Sequence, residues 1–200
     1  MIKPTQNIAL VILAAGKGQR MGEAKQLMRY KNKALINHQV DKALELGAKD
    51  VYLVVGAHKE RIENALTEPS VHMIYNENWE KGIGASIAKA VQVISELGTY
   101  DAVLISLADQ PLIPLEHYRK LLMQFQSSAK SIIATKAEES IGVPAVFGKR
   151  YFSALMDLQD NKGAKSIINS NKDTVTLVCL GKGYLDIDTP EDYRNLLQNQ

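Results

Sequence analysis

One cysteine among 200 residues, Cys179, leaves no partner for an internal disulfide and suits a reducing compartment. It falls in the run Thr174–Leu180, a strand pattern that predicts a buried structural thiol and not a nucleophile. A charge excess is missing as well. The net +2 gives no strong field, so neither a nucleic-acid surface nor an anionic membrane is implied as a partner. No apolar run approaches the roughly 20 residues that a bilayer-spanning helix needs. The N-terminus has no apolar stretch leading into a small-residue cleavage site. These absences predict a cytoplasmic protein. His38, His58, His72 and His117 lack metal-ligand spacing, and none is expected to be catalytic.

What is there is an ordinary globular composition, 46% hydrophobic and 23% charged. Strand-like and helix-like segments alternate along it without a repeat or a long linker. Ile8–Ala14, Val51–Val55 and Ala102–Leu107 are apolar almost throughout, which predicts strands buried on both faces, as in a parallel sheet. Val71–Tyr75 and Ala145–Phe147 read as further strands. Helical spacing relates Ile36, Val40, Ala43 and Leu44, then Ile87, Ala90, Val91, Ile94 and Leu97. It also relates Leu115, Tyr118, Leu122 and Phe125, with Pro114 expected as the first helical residue. This order predicts an α/β fold, a three-layer α/β/α sandwich around a mainly parallel sheet. The length predicts a single domain over residues 1–200. In such sheets ligands collect at the carboxyl ends of the strands.

At the first of those ends lies the most informative segment, Leu13–Lys25, reading LAAGKGQRMGEAK. Gly16, Gly18 and Gly22 allow positive φ and close backbone approach, so that consecutive N–H groups can surround a polyphosphate. Arg20 and Lys25 supply countercharge, the first as a planar fork and the second as a point charge. A dinucleotide fingerprint would need glycine at position 21, where Met21 stands, and a Walker A loop would need Gly-Lys-Ser/Thr. The segment reads as a phosphate-binding loop of another kind. Its glycines alone would equally suit a strand–turn–helix connection with basic residues facing solvent, and Arg20 and Lys25 at this spacing favour the first.

Two later segments carry carboxylates. Asp109 follows a buried strand directly and is held by Pro111 two residues on. A magnesium ion prefers one or two such carboxylates plus substrate phosphates and water, whereas an Asp-x-Pro alone also suits a turn or a helix start. In Leu185–Asp192, LDIDTPED, Thr189 and Pro190 read as the N-cap and first residue of a helix with Glu191 and Asp192 in its first turn. Asp186 and Asp188 precede that cap at i, i+2 spacing, which places both on one face of an extended segment. Like charges there call for a cation, or for water.

The pattern LAAGxGxRMGxxK resembles the signature of the MobA-related nucleotidyltransferases. LADQP at Leu107–Pro111 and LDIDTPED resemble that family's two metal motifs. The likeness runs from Leu13 to Asp192 with the motifs in family order, and is nearest to the molybdenum cofactor cytidylyltransferase (MocA-like) branch. It implies a Rossmann-like, nucleotide-diphospho-sugar transferase (GT-A-like) fold. It implies a nucleotide site at Leu13, Ala14, Ala15, Gly16, Gly18, Arg20 and Lys25, and Mg²⁺ on Asp109 and Asp186, with Asp188 on the substrate side. Arg20, Lys25 and Asp109 would be the catalytic set. Asn76–Ser86 resembles the branch's N-x-x-W-x-x-G-x-x-x-S segment near the nucleotide, which adds Asn76, Gly82 and Ser86. From its own position Ser86 suits either a ligand bond or a helix cap, and Trp79 reads as a packing residue. Gly142-Val143-Pro144 resembles a substrate-side element that assigns Gly142 and Pro144, and by itself reads as a turn entering Ala145–Phe147.

The implied reaction transfers CMP from CTP to the molybdopterin cofactor with loss of pyrophosphate, and the resemblance allows a molybdoenzyme as a further partner. Ala14-Ala15 resembles the CTP-using branch, where the GTP-using MobA branch has Gly-Gly. One element departs from the pattern: GDxGAR stands here as Asp160–Lys165, DNKGAK. Lysine in place of arginine is not conservative where a bidentate contact is needed. That departure keeps open a sugar or polyol phosphate as acceptor, and a non-catalytic nucleotide-binding or cofactor-handover protein is the third reading.

Overall fold

The computed structural model describes residues 7–18, 23–129, 131–138, 140–181, 187 and 189–198. Its main sheet has seven strands. They are β1 (Ile8–Ala14), β4 (Val51–Val55), β5 (His72–Tyr75), β6 (Ala102–Leu107), β7 (Ile132–Ala137), β8 (Ser140–Gly148) and β9 (Val175–Leu180). A two-residue hairpin, β2 (Arg29–Tyr30) and β3 (Lys33–Ala34), stands apart. The spatial order is β5-β4-β1-β6-β8-β7-β9. All neighbours pair in parallel except those of β8, which runs against both β6 and β7. The mainly parallel α/β sheet expected from the strand order is therefore present.

Alternating residues of β1 divide the core into two layers. Ala9, Val11 and Leu13 pack with Ile87, Ala90, Val91 and Ile94 of α3 (Ile83–Leu97) and with α5 (Phe152–Met156) and α6 (Lys165–Ser170). Leu10, Ile12 and Ala14 pack on the other face. Their partners come from α1 (Leu35–Glu45), from Ile62 of α2 (Lys59–Ala65), and from Tyr118, Leu121 and Phe125 of α4 (Leu115–Ser127). Strands buried on both faces carry no polar alternation, which is why β1, β4 and β6 read as continuous apolar runs. A smaller cluster joins Tyr30 and Leu35 to Ile187 and to Leu196 of α7 (Pro190–Gln198). Thr189 caps α7 as expected: its Oγ1 accepts the Asp192 N–H at 3.1 Å, and its own N–H donates to the Asp192 carboxylate at 2.8 Å.

Three expectations are corrected. Cys179 is exposed, not buried, because β9 is the edge strand: Val178 and Leu180 turn inward while Leu177 and Cys179 turn out. Gly142–Pro144 is no turn but the first half of β8, paired with β7 across a register shift at Ala134/Thr135 and containing a cis Val143–Pro144 bond. Pro114 takes the N-cap position of α4, with an extended ψ of 149°, one residue before its expected place. Among the described residues no helix is long and apolar enough to cross a membrane.

Candidate active site

Two cavities adjoin at the carboxyl ends of β1 and β6, sharing Leu13, Ile83 and Leu107 as their common wall. The first, of about 500 Å³, is floored by residues 13–18 and bordered by Lys25, Trp79, Gly82, Ser86 and Asp109. The second, of about 450 Å³, runs on between α3 and the β7–β8 hairpin, with Ile141, Gly142 and Lys165 at its edge.

The floor is built as the glycines require, though not at every one. Gly18 has φ +72°, and a Cβ there would lie 2.2 Å from the Glu23 carbonyl oxygen, so only glycine closes this turn. Gly16 lacks a positive φ and meets nothing within 4 Å, which leaves open space above it. Gly82, with φ +99°, is required by contact: its absent Cβ would fall 2.5 Å from Asn161 Oδ1 and 2.6 Å from the Asp160 carbonyl. That close approach brings Asn161 to the wall of the first cavity, while Gly163 and Lys165 reach the second. The altered DNKGAK element thus bridges both.

Asp109 is fixed from several sides. Ala108 N–H donates to the Leu13 carbonyl at 3.1 Å, tying the end of β6 to β1. Gln39 Nε2 donates to the Gln110 carbonyl, and Tyr118 supports that amide by donating to Gln39 Oε1 at 3.1 Å. Lys42 Nζ donates to the Pro111 carbonyl at 2.5 Å, and its burial pulls the ammonium down to about 8. Ile187 N–H donates to the Asp109 carbonyl at 3.2 Å. The residue between Asp186 and Asp188 in sequence is therefore bonded to the Asp109 backbone. Across the cavity, Lys25 Nζ lies 3.6 Å from Asp109 Oδ2. Lys25 belongs to a short 3-10 turn, Lys25–Leu27, whose Leu27 is packed against the core.

Of the remaining residues expected here, Leu13, Ala14, Ala15, Gly16, Gly18, Gly82 and Ser86 all line the first cavity. Ala14 and Ala15 are 2% and 5% exposed and belong to the two opposite core layers. Ser86 does not cap α3, whose N-cap is Gly82; its Oγ accepts from Asn76 Nδ2 at 3.1 Å. Asn76 is buried behind that wall, and its Oδ1 accepts the Asn78 N–H at 3.0 Å. Trp79 packs on the core as expected and also forms part of the cavity wall. Gly142 borders the second cavity. Pro144 is buried beneath it, where its carbonyl accepts the Thr135 hydroxyl at 2.6 Å. Arg20, Gly22, Asp186 and Asp188 lie outside the described residues. Gln26, which no motif marks, also lines the first cavity and is 6% exposed.

The sequence matches the MobA-like NTP transferase domain over residues 10–175. The chain belongs to that family. Among curated proteins it is 28% identical over 196 residues to the bifunctional protein GlmU of Francisella tularensis. The alignment takes in 96% of this chain and 42% of the relative, so the chain spans less than half the length of those relatives. Among solved structures, Rv0371c of Mycobacterium tuberculosis superposes with a TM-score of 0.85 at 25% identity, covering 98% of this chain and all of that one. A structure of that mycobacterial protein in complex with manganese gives 0.81 at 24% identity, with coverage of 98% and 100%. The sheet, the cavity at its carboxyl edge and the family agree: this is the α/β fold of the nucleotidyltransferases, as the GT-A-like resemblance implies.

Proposed function

We propose that the protein is a Mg²⁺-dependent nucleotidyltransferase of one domain over residues 1–200, acting in the cytoplasm. It would transfer CMP from CTP to the molybdopterin cofactor and release pyrophosphate. The observation that carries this reading is the convergence of Lys25 and Asp109, from different loops, at 3.6 Å over a glycine-turned floor. A cation for phosphate and a carboxylate for metal meet where an NTP polyphosphate would lie. Together they favour catalysis over a nucleotide-binding role without chemistry.

The donor set fits Mg²⁺ in its usual use: one or two carboxylates from the protein, the rest from phosphates and water. Among the described residues no three His, Cys, Asp or Glu side chains gather, so a cage made wholly of those protein side chains is not offered. Asp109, with Asp186 as the second carboxylate, would hold the ion, which when bound neutralises phosphate oxygens. The bond between Asp109 and Ile187 supports the pairing. The reaction needs no covalent protein intermediate. An acceptor phosphate oxygen forms a bond to the α-phosphorus in line, and the α–β bridging bond breaks with its electron pair on pyrophosphate. Lys25, Arg20 and the loop N–H groups would bind the β- and γ-phosphates and stabilise the leaving charge. Ser86 and Gly82 would border the nucleoside, and Gly142 and Asp188 the acceptor, with Pro144 buried behind Gly142 and not in contact with it.

One observation favours a second acceptor class. Lys165 stands at the edge of the second cavity where the branch pattern has arginine, and a lysine offers a point charge in place of a planar fork. That suits a compact sugar or polyol phosphate. Pyrophosphate release measured over the four NTPs, with Mo-molybdopterin and with a panel of sugar and polyol phosphates, decides between them. Turnover with CTP and Mo-molybdopterin is expected. Turnover with a sugar phosphate alone would transfer the reading to that class. GTP used in preference would place the protein with the MobA-type enzymes, and no release with any pair would leave only nucleotide binding or cofactor handover.

A further inference from the structure

The floor of the first cavity is held by its carbonyls. Gln26 Nε2 donates to the Ala14 carbonyl at 2.8 Å and to the Gly16 carbonyl at 2.9 Å. Between them, the Ala15 carbonyl accepts the Ala57 N–H at 3.2 Å. The next, Lys17, accepts from His58 Nε2 at 3.1 Å, so that ring nitrogen carries the proton. Four consecutive carbonyls are thus engaged, two of them by one side chain. A peptide unit is planar and trans, so a fixed carbonyl also fixes the direction of the N–H that follows it. Gln26 therefore helps to set the directions of the Ala15 and Lys17 N–H groups, the first together with the pairing of Ala14 opposite Val55.

Gln26 also binds that floor to a cation. It is the middle residue of the turn that carries Lys25, a turn closed by Leu27 N–H to the Ala24 carbonyl at 2.9 Å. Leu27 anchors the turn in the core, and the Gln26 amide joins the close approach of Gly18 to Glu23 in setting the spacing between the floor and the Lys25 turn. Its orientation is not ambiguous, because two carbonyls require the NH₂ end. The opposite end, Oε1, is buried and has no hydrogen-bond partner among the described residues. An apolar side chain would fill this place without an orphaned oxygen, so the two bonds to the floor are what the glutamine supplies.

We propose that Gln26 is the positioning residue of the phosphate site: it preorganises the 14–17 backbone and sets its distance from Lys25 before the nucleotide arrives. The assignment rests on the nucleotidyltransferase reading for its catalytic consequence, but not for its structural one. The test uses the full chain with Gln26→Leu, and Gln26→Met should the leucine variant fail to fold. Amide exchange over residues 13–18, measured without nucleotide, should quicken by about tenfold or more as the floor opens locally. CTP turnover should lose about 10²-fold in kcat/KM, in the range of a misplaced binding group, mostly through KM. Gln26→Glu adds a readout that simple loss of packing would not give. Ionised, it repels both carbonyls; protonated, it donates to one. Its kcat/KM relative to wild type should therefore rise as pH falls through the carboxyl range. Unchanged exchange, or wild-type kcat/KM in Gln26→Leu, overturns the proposal. A wild-type protein without turnover on any NTP overturns the enzymatic reading, and the exchange measurement then decides the clamp by itself.

Discussion

Lys25 Nζ stands 3.6 Å from Asp109 Oδ2 across the first cavity, with side chains 13% and 24% exposed. Both side chains are mostly buried and the separation is longer than a hydrogen bond, so the pair adds little to folding beyond offsetting the cost of burying its two charges. Under the proposed function each partner would neutralise the other until phosphate and metal divide them. Binding of an NTP with its ion would then be an exchange of partners in which neither charge is left desolvated and alone.

Asp109→Asn should accordingly leave the thermal midpoint nearly unchanged and lower nucleotidyl transfer by about 10²-fold or more, since it removes a group aimed at charge that develops in the transition state. Pyrophosphate release at saturating CTP and physiological Mg²⁺ checks this. Normal turnover would remove Asp109 from the mechanism.

Lys25→Ala removes a charge that, under the proposed function, would meet phosphate in both ground and transition states. Loss of a charged hydrogen-bond partner, worth about 1.5–3 kcal/mol, corresponds to roughly 10- to 150-fold in kcat/KM. The effects of Lys25→Ala and Asp109→Asn should not add in the double variant, because the two residues are in contact. Additive losses would show that they act on separate steps.

CTP should be preferred to GTP by roughly 10–200-fold, the range available to a small steric difference in a pocket. Ala14→Gly with Ala15→Gly should relax that preference. Because both methyls are buried in the core layers, the same double variant should also lose stability, by about 1 kcal/mol for each position. Competition between the two nucleotides and a denaturant midpoint measure the two effects separately.

His117 predicts an acid limit to stability. It is buried, its Nε2–H donates to Thr135 Oγ1 at 2.8 Å, and the Thr135 hydroxyl in turn donates to the Pro144 carbonyl. Burial first, and Lys120 second, hold its pKa below the ordinary 6.5. The unfolded chain therefore takes up a proton at a pH where the folded chain does not, so this contribution is present above 6.5 and is lost as pH falls below it. Denaturant midpoints between pH 7.5 and 5 should drop, and His117→Gln should flatten that drop.

Legibility in the sequence followed burial. β4 and β6 match their apolar runs to the residue because central parallel strands have two dry faces and nothing to alternate. The first half of β8 was hidden by Gly142 and Pro144, residues that ordinarily announce a turn and here sit opposite a shift in register. The exposure of Cys179 is not legible, because a strand's position in the sheet, edge or centre, is not written in its own residues. The loop and Asp109 were visible through spacing, and the structure places Lys25 and Asp109 together. Gln26 left no trace: one polar residue between a lysine and a leucine has neither period nor motif, and its importance arises only when a turn folds it beneath the loop.

Among the seven strands β8 alone runs backwards, and this has a consequence for how the protein can change. Reversal brings the tip of the β7–β8 hairpin, around Glu138 and Ser140, to the same edge as the phosphate loop, beside the second cavity. Hairpin tips tolerate insertion because few backbone bonds depend on them. One half of the site can therefore be lengthened, shortened or recharged by changes in a handful of residues, while the half proposed to meet the nucleotide keeps its geometry. Partner choice is, in this architecture, an independently adjustable part.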